Sequence, residues 1–195
     1  MIPTRNQCLE LIRRYGMLPN IVRHSELVTR VALLIAGKLN RDAGFHLDLT
    51  LIEAGALLHD ITKTMSIQTR ENHARTGGEL LASLGYPAVA EVVRQHIRLD
   101  PAQASAVPVI SEAALVNYAD KRVKHEEVVG IEERFCDVLK RYAGKFADLE
   151  DHIQEVFIET QHLEEKIFSL IDISPEDINE MVEAGTIPRL ADNGR

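Results

Sequence analysis

Histidine and aspartate are the residue types in this chain whose positions could support metal chemistry. Six of them interrupt otherwise apolar helical stripes: His24, His59, Asp60, His73, His96 and Asp120. Singly, such a histidine is most often a core imidazole bonded to a backbone carbonyl, and such an aspartate is often a helix cap. If their helices pack together, unpaired carboxylates in the interior would be strongly destabilising. A divalent cation supplies the missing charge, and imidazole nitrogen with carboxylate oxygen suits first-row metals.

The segment ALLHDITK, residues 56–63, shows this pattern most clearly. It closes an apolar run of helical period, and His59 and Asp60 follow that run directly. Polar groups beside buried positions need a partner, because burial without one costs free energy. Lys63 comes about one helical turn after Asp60, close enough to meet an anion bound there. We infer that this helix runs inward and ends at a functional site.

The elements that must position these residues are predicted to be helices. Apolar residues recur at helical spacing in the segments that contain the six candidates: 21–40, 48–60, 72–85, 87–99 and 111–123. The C-terminal third has the same period, and no alternating strand pattern of useful length is present. The long stretch 150–171 either covers the bundle or pairs with a second copy of the chain as a homodimer. The sequence predicts an all-α, single-domain helical bundle.

The overall composition is that of an ordinary globular domain. The chain has 195 residues, of which 45% are hydrophobic and 27% charged, so one compact core is expected. A net charge of −8 argues against non-specific binding to nucleic acid or to an anionic membrane surface. Cys8 and Cys136 fit no metal spacing, which favours a reducing compartment. Without an apolar run that suits a signal peptide or a membrane span, we expect a soluble, cytoplasmic protein.

The order of these motifs resembles the HD-domain superfamily of metal-dependent phosphohydrolases. His24 comes first, His59 and Asp60 follow in ALLHDITK, and Asp120 comes last in LVNYADKRV. The lysine three residues after the HD pair is similar to that family's pattern as well. The resemblance covers about residues 20–125 and implies an all-helical bundle, in agreement with the periodicity.

The resemblance and the helical period together suggest how the domain is divided. We expect one HD-type helical domain over residues 1–186, in which C-terminal helices at about 128–186 follow the part that carries the motifs. The last residues, 187–195, are expected to form a disordered tail.

The resemblance further implies a set of metal ligands. Four residues match the ligands of the primary metal: His24, His59, Asp60 and Asp120. His73 in NHARTGGELL and His96 in VVRQHI resemble the extra histidines of the two-metal branch, which includes hydrolases of dinucleoside tetraphosphates. In that branch Asp60 would bridge two divalent ions, and iron, manganese, cobalt, nickel and zinc all suit these ligands. The link from Asp60 to His73 lacks the longer insert of dinucleotide-cleaving enzymes, which leaves the substrate open.

The activity implied by the resemblance is hydrolysis of a small phosphoester, a nucleotide or dinucleotide, by a metal-activated hydroxide. Asp60 and Lys63 are the predicted catalytic residues, and Lys63 is also expected to meet a phosphate oxygen. Other predicted substrate contacts are arginines near the ligands: Arg23, Arg98 and Arg122. The expected partner is therefore a small phosphorylated substrate, and neither a membrane nor nucleic acid is expected.

Two other functions fit the same residues. Some two-metal HD proteins resemble this ligand set yet hold a di-iron pair and use oxygen to cleave carbon bonds. A non-catalytic sensing or interaction module with this fold is the other alternative. The intact ligand set and Lys63 count against that module, because a copy that has lost its activity usually loses a ligand.

Overall fold

A computed structural model describes residues 1–100, 109–142 and 149–185 of the chain. Its helices are α1 (Arg5–Arg14), α2 (Pro19–Asp42), α3 (Leu49–Leu58), α4 (Lys63–Thr69), α5 (His73–Ser83), α6 (Pro87–Gln95), α7 (Glu112–Lys121), α8 (Ile131–Tyr142), α9 (Leu149–Phe168) and α10 (Asp177–Glu183). The all-α prediction is confirmed. The expected disordered tail, residues 187–195, lies outside the described residues. Among the described helices, none combines the length and hydropathy that crossing a bilayer requires.

Helix α3 lies between the two hydrophobic clusters of the domain. One cluster is built mainly from α2, α7, α9 and α10, and Ile52 and Ala56 of α3 belong to it. The other is built from α1, α5 and α6, and it takes Leu57 and Leu58 of α3. A helix that packs on both sides has no polar stripe. This explains why the run before His59 is apolar at consecutive positions.

Glycines of α3 and α5 let these helices approach α6 closely, and Gly55 and Gly77 face valine side chains there. A Cβ atom added at Gly55 of α3 would lie 2.5 Å from Cγ1 of Val92, and one at Gly77 of α5 would lie 3.1 Å from Cγ1 of Val93. A Cβ atom at Gly55 would force a neighbour to shift, and one at Gly77 would make a tight contact. The close approach brings the C-terminal ends of α3 and α6 together.

A short hairpin follows α7, which ends at Lys121, two residues before the predicted boundary. Strand β1 (Val123–Lys124) pairs antiparallel with β2 (Glu127–Val128), and regular strands in the described ranges are limited to this pair. His125 in the two-residue turn has φ 57°, the left-handed conformation that such turns require. The turn directs the His125 carbonyl towards α2.

The helices that follow the hairpin pack onto the bundle. Leu163 and Ile167 of α9 are almost completely buried in the larger hydrophobic cluster. The interpretation that stretch 150–171 covers the bundle therefore agrees with the packing of α9, and a homodimer stays a prediction.

Replacing Gly55 with alanine is expected to lower the free energy of unfolding by about 1–3 kcal/mol, as overpacking of a core does. The added methyl group would collide with Val92, which is buried and has a stiff χ1 angle. The better helix propensity of alanine, worth about 1 kcal/mol, offsets only part of this loss. Urea denaturation measures the change. In the Val92→Ala background, which removes the Cγ1 atom but keeps Cβ at 3.2 Å, the same substitution should cost much less, and an equal loss in both backgrounds would rule out the contact as the cause.

Candidate metal centre

The structure brings the six predicted residues together inside the bundle. They are contributed by five parts of the fold: His24 by α2, His59 and Asp60 by the turn after α3, His73 by the start of α5, His96 by the end of α6 and Asp120 by α7. Neighbouring imidazole rings are close, with centroids 5.4 Å apart for His24 and His59 and 5.0 Å apart for His59 and His96. His73 lies 5.1 Å from His96 by the same measure. The convergence that a metal centre needs is therefore present.

Backbone carbonyls orient three of the four imidazoles. The bonds run from Nδ1 of His59 to Ala56 O (2.8 Å), from Nδ1 of His96 to Val93 O (2.7 Å) and from Nδ1 of His24 to His125 O (3.1 Å). A carbonyl oxygen only accepts, so Nδ1 carries the proton and the Nε2 atom of a neutral ring presents a lone pair. Metal-binding histidines are commonly fixed in this way, with the second nitrogen left for the metal.

The Nε2 atoms point towards carboxylate oxygens. Oδ1 of Asp120 lies 2.9 Å from Nε2 of His24 and 3.6 Å from Nε2 of His59. Oδ2 of Asp60 lies 3.3 Å from Nε2 of His59, whereas Oδ1 of Asp60 lies 3.1 Å from Nε2 of His73. The two oxygens of Asp60 thus face different histidines. A carboxylate that bridges two cations would have the same arrangement.

Two atoms of the centre lack a hydrogen-bond partner in the described part of the chain. Among the described residues, Nε2 of His59 and Oδ1 of Asp60 are buried and unsatisfied. Nε2 of His73 and Nε2 of His96 are 3.2 Å apart, which brings two ring nitrogens into contact. Lone pairs that face each other repel unless a proton or a cation lies between them. The arrangement therefore fits metal ions as its missing component.

Two overlapping triads have the spacing of metal ligands. In each triad the ligand atoms lie within 4.8 Å of one another: His24, His59 and Asp60 in the first, and Asp60, His73 and His96 in the second. Asp60 belongs to both triads, and Asp120 contacts the first one through His24 and His59. The donor set is therefore able to hold a divalent metal.

The charges within the centre shift its pKa values. Burial alone would lower the pKa of His59, but the carboxylates of Asp60 and Asp120 outweigh burial and raise this pKa to about 10. Burial favours the neutral form of both carboxyl groups, yet the neighbouring imidazoles hold the pKa values of Asp60 and Asp120 well below the usual range. Burial and the charge on His59 lower the pKa of His96 to about 3. At neutral pH the carboxylates are therefore ionised, and the His59 imidazole is positively charged, with a proton on each ring nitrogen.

Other buried polar residues hold the ligands in place. Oγ1 of Thr62 donates to the His73 carbonyl at 2.9 Å, which ties the start of α5 to the HD turn. Nδ2 of Asn117 and Nζ of Lys121 each donate to the His96 carbonyl at 3.1 Å. Sequence reasoning did not identify Thr62 as a positioning residue. Its place in the chain, two residues after Asp60, was the available signal.

A cavity of about 470 Å³ lies against the centre. Its lining includes His24, Asp60 and Lys63, and Lys63 donates to Oδ2 of Asp60 at 2.7 Å. Arg134 and Arg141 of α8 line the same cavity, although no motif in the sequence had pointed to α8. The volume is in the range of small-molecule sites.

The structure corrects the prediction that Arg122 contacts substrate. Its side chain is buried, and its guanidinium donates to Tyr118 Oη, Glu164, Val129 O and Pro175 O. All these partners belong to the protein, so Arg122 ties α7 to the C-terminal segment. Its closeness to Asp120 in sequence was misleading.

The other two predicted arginines also have protein partners. Arg98 donates to Glu155 and Glu159 of α9, at 3.1 Å in both cases, and it does not belong to the described lining of the cavity. Arg23 is half exposed and pairs at 2.7 Å with Glu126, a residue of the cavity lining. Arg98 therefore fastens α9, whereas Arg23 lies near the cavity with its charge balanced.

The fold and the site together define an all-helical domain with a buried cluster of histidine and aspartate that could hold a metal ion. The HD domain family matches residues 21–124, more than half of the chain and the part that supplies all six candidates. The chain belongs to the HD domain family. The predicted recognition is confirmed at this level, and the finer likeness to dinucleoside tetraphosphate hydrolases stays a prediction.

Individual relatives have names from two classes of protein. The chain is 32% identical over 146 residues to a tRNA (cytidine(56)-2'-O)-methyltransferase of Thermoplasma volcanium, covering 66% of this chain and 41% of that protein. It is 27% identical over 190 residues to the protein of the same name from Picrophilus torridus, covering 91% of this chain and 50% of that one. It is 27% identical over 145 residues to Ribonuclease Y of Acidothermus cellulolyticus, covering 67% and 28% respectively. The chain therefore spans half or less of the length of each of these three relatives. No solved structure matches it.

We expect metal binding at neutral pH to release about one proton, because the cation must displace the proton that His59 holds. Since the raised pKa of His59 is about 10, acid strengthens the competition, and affinity should fall by about tenfold for each pH unit between 9 and 6. Calorimetric titration with Mn²⁺ in two buffers of different ionisation enthalpy measures the released protons. An affinity that is independent of pH over this range would contradict the assignment of His59 as a ligand.

Proposed function

We propose that the chain is a metal-dependent phosphohydrolase that cleaves a small phosphoester, a nucleotide or dinucleotide. One observation carries the proposal: ring nitrogens and carboxylate oxygens of the centre face each other in the interior, and His59 Nε2 and Asp60 Oδ1 lack hydrogen-bond partners among the described residues. Membership of the HD domain family supports hydrolytic, metal-dependent chemistry.

The proposed ligands divide between two divalent ions. His24, His59, Asp60 and Asp120 would hold the first ion, and Asp60 would share the second with the pair His73 and His96. Such ions activate water for attack on phosphorus and stabilise the charge of the attacking and leaving oxygens. Iron, manganese, cobalt, nickel and zinc are the candidates, because the donors are nitrogen and oxygen only.

Asp60 and Lys63 contribute differently to the proposed reaction. The low pKa of Asp60, caused by the charges of His59 and Lys63 against the effect of burial, keeps its carboxylate ionised. An ionised carboxylate suits a metal ligand and is a weak proton acceptor, so Asp60 would orient the water through the ions. Nζ of Lys63 lies 2.7 Å from Oδ2 of Asp60 and faces the cavity, where it can bind a non-bridging phosphate oxygen.

The names of the relatives bear on the substrate. Ribonuclease Y is named for the cleavage of RNA, which is a phosphodiester, and this agrees with a phosphoester as the substrate class. The tRNA methyltransferase names describe whole proteins of which the chain covers 41% and 50%. A cavity of about 470 Å³ favours a small phosphorylated compound.

Substituting the proposed ligands should change metal content in a graded way. Asp60→Asn is expected to abolish turnover and reduce both metals, because the shared oxygen donor loses its charge. His73→Ala and His96→Ala should each leave one ion bound. Metal analysis by mass spectrometry of the purified variants measures this.

His46→Ala is the matched control, because His46 is an exposed histidine outside the centre. It should retain the metal content and the turnover of the unmodified chain. Full activity in Asp60→Asn would defeat the assignment of the catalytic site. Two metals retained in both His73→Ala and His96→Ala would defeat the second metal site.

A substrate screen tests the function directly. The Mn²⁺-loaded chain is incubated with a panel of phosphorylated metabolites, dinucleotides and short RNA, in air and without oxygen, and released phosphate or new termini are measured. Turnover that is equal with and without oxygen supports the hydrolase. Turnover that needs oxygen would support the di-iron oxygenase instead, and bound metal without turnover on any compound would support the non-catalytic module.

A further inference from the structure

Two arginines of α8 extend the candidate site beyond the part that matches the HD domain family. Arg134 and Arg141 are seven residues apart, or two helical turns, and therefore lie on one face of α8. Both line the cavity that also contains Asp60 and Lys63. The family match ends at residue 124, before α8 begins.

Asp137 is the acidic partner of both guanidinium groups. Its Oδ2 atom lies 2.6 Å from a terminal nitrogen of Arg141 and 3.4 Å from one of Arg134. One carboxylate thus balances one of two positive charges, and its short bond goes to Arg141. The face retains an excess positive charge beside Lys63.

Arg134 in particular has a donor that lacks an acceptor among the described residues. Its side chain is 14% exposed, and its Nε atom is buried without a hydrogen-bond partner in the described part of the chain. A buried charged donor without an acceptor is destabilising. A residue of this kind next to an open cavity is suited to a bound anion, and the planar guanidinium fork matches the oxygens of a phosphate group.

We propose that Arg134 and Arg141 bind a second phosphate group of the substrate while the first lies at the histidine and aspartate cluster. This inference rests on the proposed function and narrows its substrate class to compounds with at least two linked phosphate groups. Lys63 is already bonded to Asp60 and serves the reacting phosphate. The excess positive charge of Arg134 and Arg141 lies in the same cavity and is available to bind the neighbouring phosphate. That phosphate belongs either to the phosphate chain of a nucleotide or to the next linkage of a short oligonucleotide.

Calorimetric titration with inorganic phosphate and pyrophosphate tests the second subsite without any need for turnover. The Mn²⁺-loaded full chain, with Mn²⁺ in excess, is expected to bind pyrophosphate more tightly than phosphate. Arg134→Gln and Arg141→Gln should each weaken pyrophosphate binding by about tenfold or more, the usual effect of losing a charged hydrogen bond, and change phosphate binding by less than about twofold. Equal weakening of both probes, or no weakening of either, would overturn the proposal.

Lys140→Gln is the matched control, because it removes one positive charge from an exposed position of α8 outside the cavity lining. It should leave both affinities unchanged. Arg134→Lys should recover part of the pyrophosphate affinity, since it restores the charge without the fork. Circular dichroism checks that each variant is folded, and Arg141→Gln keeps the test decisive if Arg134→Gln does not fold.

Paired ligands identify the source of the second phosphate. ADP is compared with AMP, and the 5'-phosphorylated dinucleotide pApA with ApA, in the unmodified chain and in Arg134→Gln. If tighter binding of ADP than of AMP depends on Arg134, the second phosphate belongs to a nucleotide phosphate chain. If tighter binding of pApA than of ApA depends on Arg134, it belongs to an oligonucleotide. If neither preference depends on Arg134, the proposal is wrong.

Binding and turnover separate this inference from the proposed function. If Arg134→Gln removes the preference for two phosphates but no phosphoester is hydrolysed, the subsite stands and the hydrolase assignment fails. If a phosphoester is hydrolysed and the ratio of kcat/KM between ADP and AMP is the same in Arg134→Gln, the hydrolase stands and the subsite fails.

Discussion

His59 and His96 each follow the last residue of a helix and donate the Nδ1 proton to the carbonyl three residues earlier. This local bond fixes which nitrogen faces the interior, and the geometry of the candidate metal centre depends on it. The Nε2 lone pair of each neutral ring then points towards Asp60, whose oxygens can only accept while the carboxylate is ionised. Protons relieve this conflict in part, as the raised pKa of His59 shows, and the same donor set is able to hold a divalent metal ion.

The surrounding fold keeps that conflict in place. Asp60 is completely buried. If the helices around it were loosely packed, its carboxylate could turn towards solvent. Helix α3 prevents this because it is packed between two hydrophobic clusters, while Gly55 lets α6 approach with His96 at its end. The apolar packing thus supplies the free energy that holds an ionised carboxylate among the imidazoles of the candidate metal centre.

Residue type and period were sufficient to predict the helical fold and the residues that the centre brings together, because His24, His73 and Asp120 stand out on apolar stripes. The β1–β2 hairpin was missed, since two-residue strands leave no periodic signal. Arg122 was misassigned because closeness in sequence was taken for closeness in space. Two residues along a helix rotate a side chain by about 200°, so Arg122 and Asp120 point to different sides of α7. Arg134 was missed because a charge on an amphipathic helix is ordinarily solvated.

The buried contacts of Arg122 also determine what can fold as a unit. Asp120 lies on α7, whose other side bears Tyr118 and Arg122, and both of these bond to Glu164 of α9. A fragment cut at residue 124, where the family match ends, would expose an unpaired guanidinium and a large aromatic ring beside a proposed metal ligand. The segment that matches the family model is therefore shorter than the set of elements that bury the back of α7, and the C-terminal helices complete the packing of the helix that presents Asp120.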